Sequence, residues 1–148
     1  MKSLTTILLT ALLGTTATAA QGFNISEFTA GCIPHGTLCT IRFLVTTTGQ
    51  TSPPAECGFS GTPLGSSSLP DTGFAACAGD PSIIWSFRRV QTAEVAGVAP
   101  FYELALASAE GGVPAASRFW AGEEFPLKQS GAAFYQQFVG EGGFVVGQ

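Results

Sequence analysis

The sequence predicts an all-β fold: a compact, disulfide-stapled antiparallel β-sandwich or barrel of about seven to nine short strands. Three observations carry that expectation. Apolar and polar residues alternate over Leu38 to Thr47 and again over Ile83 to Val90, the period of a strand with one buried face. Gly, Pro, Ser and Thr punctuate the chain between almost every pair of apolar runs. Four cysteines, Cys32, Cys39, Cys57 and Cys77, follow an apolar leader and none comes after them.

Residues 1–20 read as a signal peptide. Lys2 supplies the basic start, Leu4 to Leu13 the apolar stretch, and Ala17-Thr18-Ala19 the small residues a signal peptidase accepts, with cleavage after Ala19 or Ala20. Residues 21–148 are then a single secreted β domain. Phe23 to Phe28 is the first expected strand, and the turn chemistry of Ile33-Pro34-His35-Gly36 leads into the second. There Cys39, Ile41, Phe43 and Val45 share the buried face. Thr46 to Pro54 is a polar loop and Ala55 to Ser60 a short strand bearing Cys57. Gly61 to Gly73, rich in Ser, Gly and Pro, reads as an irregular surface loop that exposes Leu69 and Asp71 and contributes to partner contact.

Ile83, Trp85 and Phe87 place the next strand's core face, with Ser86 and Arg88 opposite. Thr92 to Ser108 has the Ala and Glu content of a helix. Pro100 interrupts it, however, and Tyr102, Leu104 and Leu106 alternate with Glu103, Ala105 and Ala107, so Phe101 to Ser108 is assigned as strand. Arg118 to Trp120, Ala133 to Val139 and Phe144 to Val146 complete the set.

The chain has 148 residues with six basic and ten acidic side chains. Removing Lys2 leaves five basic residues against ten acidic, a net charge of −5 by that count, which argues against nucleic acid or anionic membrane as partner. Four cysteines allow three connectivities. Facing positions of a hairpin bring Cα atoms within disulfide reach, which favours Cys32–Cys39 and leaves Cys57–Cys77, with no free thiol. The Asn24-Ile25-Ser26 sequon makes Asn24 a candidate N-glycosylation site.

Catalytic candidates are few. After leader removal His35 is the one histidine, placed at a turn tip beside cysteines expected to be bonded, so it lacks a thiolate partner. No His/Cys/carboxylate spacing suits zinc. Glu123 and Glu124 are adjacent and Asp71 and Asp80 flank Cys77, patterns of solvated loop and turn rather than of a glycosidase pair. No enzymatic activity, cofactor or metal is expected. Trp85, Phe87, Phe43 and Phe138 are assigned to the core. Phe119-Trp120 and Phe134-Tyr135 each place one neighbour outward, and Trp120 with Tyr135 is the candidate recognition patch.

The stretches NISEFTAGCIPHGTLCTIRFLV, ECGF, CAGDPSIIWSF, GGVPAASRFW and YQQFVGEGGFVV together resemble the fungal-specific secreted family founded by the major Alternaria allergen, across most of residues 21–148. The resemblance implies a compact β-sandwich or barrel and a disulfide at Cys57–Cys77. It also implies a secreted effector, elicitor or allergen-like role in which binding to a host or apoplastic protein modulates plant defence or cell death. The family's C-terminal disulfide and its extra N-terminal cysteine, the device of covalent dimerisation, have no counterpart here. The Cys32/Cys39 pair resembles a branch with CIPH followed by a second cysteine. A monomer is therefore expected. The alternative function is a carrier or lectin-like module for a small apolar ligand or a wall polysaccharide.

Overall fold

The computed structural model describes residues 22–34, 38–63, 68–90, 101–110 and 116–147. Residues 1–21, where a leader is expected, His35 and residues 64–67 of the Ser/Gly loop lie outside these. The fold is all-β: β1 (Phe23–Cys32), β2 (Cys39–Thr47), β3 (Ala55–Gly61), β4 (Ala75–Cys77), β5 (Asp80–Val90), β6 (Phe101–Ser108), β7 (Ala116–Ala121), β8 (Leu127–Ser130), β9 (Ala133–Gln136) and β10 (Phe144–Val146). Among the described residues one 3-10 turn, Gly122–Glu124, occurs, directly after β7. Among the described residues no helix is long and apolar enough to cross a membrane.

Two antiparallel four-stranded sheets, ordered β10-β1-β2-β3 and β4-β5-β6-β7, enclose the core, and β8-β9 forms a separate hairpin. The sheets meet at one seam, where Glu56 and Ala78 exchange backbone hydrogen bonds of 3.1 and 2.6 Å. The Cys57–Cys77 disulfide crosses the same seam with a Cα separation of 4.3 Å. Cys32–Cys39 joins directly facing residues of the β1-β2 hairpin, Cα atoms 3.9 Å apart. At the opposite seam side chains close the barrel: Trp120 of β7 packs edge-on to Phe144 of β10 at 5.2 Å. The Arg118 guanidinium lies over both rings, at 5.8 and 5.2 Å, a position in which a cation gains from the ring quadrupole.

The alternating residues of β2 and β5 bury as expected, and Phe43 meets Trp85 edge-to-face at 5.1 Å in the core centre. Strand β1 runs beyond Phe28 because a bulge at Ser26/Thr29 changes its phase. Phe23 and Ile25 face inward before it and Phe28, Ala30 and Cys32 after it. Glu27 carries the bulge at φ 55°, a left-handed conformation unusual outside glycine.

Two expectations are corrected. Leu69 is not exposed but 0% accessible, a core residue. Its N–H donates to the Gln136 side chain at 2.9 Å. The segment then runs beside β5, where the Thr72 N–H donates to the Phe87 carbonyl at 2.7 Å and the Phe87 N–H to Thr72 Oγ1 at 2.7 Å. Short β4 leaves that part of β5 without a partner strand, and the loop supplies the missing hydrogen bonds. Trp120 is 2% exposed rather than a surface residue. Phe28 stacks on it at 5.0 Å, and Phe125, Phe138 and Phe144 surround it. Its neighbour Phe119 is the exposed member of the pair. On β6 both parities are covered, so Glu103, opposite the core-facing leucines, is itself buried. It is held by Arg88 Nε and by the Ser117 hydroxyl at 2.9 Å.

Candidate functional site

All four cysteines are consumed in the two disulfides. Among the described residues no group of three or more His, Cys, Asp or Glu side chains converges as a metal site would. Asp80 accepts from the N–H and hydroxyl of Ser82, and Asp71, exposed as expected, accepts from the Arg89 N–H at 2.7 Å. At the start of β5 Asp80 follows the local capping habit of Asp in turns, while Asp71 fixes the end of β5 from 18 residues away in the chain. Glu123 and Glu124 sit consecutively in the 3-10 turn.

The most distinctive surface is the outer face of the β1-β2-β3 sheet. Inward positions of these strands are apolar, so the outward ones are free to be small and polar, and register arranges them in rows. Gly31, Thr40 and Ser60 form one row; Thr29, Arg42 and Gly58 form the next. The β1 bulge creates this order, because without the phase change Thr29 and Gly31 would point into the core. Gly58, opposite Arg42, has no side chain to fill its place, and the long Arg42 stem lies against it.

Two open grooves flank this floor. One, of about 510 Å³, is lined by Thr29, Gly31, Ile33, Thr40, Tyr135 and Gln137 with the backbone around them. The other, of about 340 Å³, lies over Arg42, Gly58, Phe59 and Ser60 and reaches Ala76 and Ala78 across the seam. Tyr135 stands as a half-buried wall, packed against the core from the β8-β9 hairpin. Gln137 bridges to Gly31 of β1, and its Oε1 accepts from Lys128 Nζ at 2.9 Å. On the inward side of β3 the half-buried Phe59 ring packs against the core and covers Gly61. Arg88–Glu103 is the one ion pair among the described residues, so Arg42 has no carboxylate within pairing distance there.

Of the candidate recognition residues, Tyr135 alone belongs to this surface. Leu69 and Trp120 are core, and Asp71 lies at the β5 end. Asn24 is exposed on the same outer face, paired with Thr46 of β2. Sequence reasoning missed Thr29, Thr40, Arg42 and Ser60. Their only signal was that they occupy the outward positions of strands whose inward residues had been read. Comparison of the chain with protein-family models, curated proteins and solved structures finds no match.

Proposed function

We propose that this is a secreted effector- or elicitor-like protein of fungal type that acts by binding a host or apoplastic component rather than by catalysis, and so modulates plant defence or cell death. The observation that carries the reading is the grooved outer face of the first sheet. It is an accessible floor with an aromatic wall at Tyr135, on a scaffold whose strands are locked by Cys32–Cys39 at one end and Cys57–Cys77 at the edge. A floor built on paired strands loses little conformational entropy when a partner docks. The leader peptide, the acidic charge and the resemblance to the fungal secreted family support the same reading. Infiltrating purified, oxidised protein into leaves of several hosts tests it. Necrosis, defence-gene induction or suppression of a co-applied elicitor is expected, and no response in any host overturns the proposal.

A further inference from the structure

The geometry points to the outer face of β1-β2-β3 as a platform for a segment of neutral polysaccharide, lying across the strands from Tyr135 to Ser60; this rests on the binding function proposed above and names its partner class. The backbone of β1 and β2 in the floor is consumed in the β1-β2 and β2-β3 ladders, so across its face a peptide finds no strand to extend and meets a free edge only along the outer side of β3. What the floor offers instead are short hydroxyl side chains, Thr29, Thr40 and Ser60, interleaved with Gly31 and Gly58. Hydroxyls both donate and accept, which matches the hydroxyl rim of a pyranose, and the glycines leave the floor flat enough for a ring to approach. The spacing agrees as well. Neighbouring strands lie about 4.8 Å apart, close to the advance of one sugar unit along a glycan chain. Successive rings can therefore sit over β1, β2 and β3.

One end carries the second element of sugar recognition: Tyr135 presents a half-buried ring whose face suits the C–H face of a hexose. An apolar carrier site is disfavoured, because both grooves are open and the floor is hydroxylated. A polyanionic chain is disfavoured by the acidic protein and by Glu56, which shares the second groove with Arg42, so the formal charges over the floor cancel.

Titration calorimetry with cellohexaose, laminarihexaose, xylohexaose and chitohexaose, with polygalacturonate as the anionic arm, tests the inference. At least one neutral hexamer should bind. Tyr135→Ala should weaken it about tenfold, the loss expected for one stacked ring near 1.4 kcal/mol. Thr40→Val, which keeps shape and removes the hydroxyl, should weaken it several-fold. Phe119→Ala, on the other sheet, should bind as the native protein does and serves as the surface control. Binding of no neutral hexamer, preference for polygalacturonate, or unchanged affinity in both platform variants overturns the platform. A leaf response that persists with no glycan bound removes the platform and keeps the effector reading; glycan binding with no leaf response in any host does the reverse.

Discussion

Gln136 ties together three segments far apart in the chain, and replacing it with leucine is the sharpest test of how the loop after β3 is held. Its Oε1 accepts the Leu69 N–H at 2.9 Å, while Nε2 donates to the Tyr102 hydroxyl at 2.5 Å and to the Phe125 carbonyl at 3.1 Å. All four groups are buried. Leucine fills a similar volume but strands the Leu69 N–H, the Tyr102 hydroxyl and the Phe125 carbonyl. At about 1–2 kcal/mol for each stranded group, less about 1 kcal/mol of added apolar burial, the net loss is about 3 kcal/mol. A domain of this size holds on the order of 5–15 kcal/mol in total, so the melting temperature should fall roughly 10 °C. Far-UV circular dichroism during heating and urea titration, with disulfides kept oxidised, reads it. Tyr102→Phe supplies the control cycle. Alone it removes one partner of Gln136 and costs about 1 kcal/mol, whereas in the Gln136→Leu background it should be neutral or stabilising. A loss under 1 kcal/mol for Gln136→Leu, or strictly additive effects, would refute the network.

Other expectations follow the same logic. Leu69→Ala should destabilise by about 2–4 kcal/mol, as a fully buried leucine does; replacing 62–72 by a Gly/Ser linker should unfold the protein or nearly so, and a native melting curve for the swap would show the loop is dispensable. Opening Cys57–Cys77 should cost about 3.3 kcal/mol and opening Cys32–Cys39 about 2.5 kcal/mol from loop-closure entropy alone, given sequence separations of 20 and 7; denaturation of the paired Cys→Ala variants gives the order, and the reverse order contradicts it. Glu27→Gly should be neutral or stabilising by up to about 1 kcal/mol, whereas Glu27→Val should destabilise by at least that much because β-branching resists positive φ; equal stability of the two denies strain at the bulge. Arg88→Ala should cost about 1–3 kcal/mol, since it leaves the buried Glu103 carboxylate with the Ser117 hydroxyl alone, while Glu103→Gln should cost less; urea midpoints decide.

Much of the architecture was legible because most strands have one core face. β2 and β5 announce themselves by period two, and Phe101 to Ser108 yielded to the same test against its helical composition. Where alternation is broken, reading failed. The bulge at Glu27 shifts the phase of β1, so its second half looked like a turn approach. β7 is legible over Arg118 to Trp120 but its facing is not: Arg118 shares the inward parity of Trp120, and a charge on that face hides that Trp120 is core. Leu69 is one apolar residue among Ser, Gly and Pro, too few to carry any period. The grooves were invisible for another reason. Thr29 and Thr40 meet Tyr135 and Gln137, and Arg42 meets Ala76 and Ala78, only after the sheets close.

Both disulfides join consecutive cysteines, 32 to 39 and 57 to 77. As a chain is threaded into an oxidising compartment from its N-terminus, each thiol therefore meets its own partner before the next pair arrives. Neither native bond requires an earlier one to be broken and reshuffled. By the time β6 to β10 emerge, the hairpin and the β3/β4 seam can already be covalent. The late strands add onto a cross-linked half rather than searching with a free one. Yield from an oxidising cell compartment should then depend little on a disulfide isomerase. The slow step left is pairing β10 back onto β1 across nearly the whole chain, for which loop-closure entropy, not thiol chemistry, sets the rate.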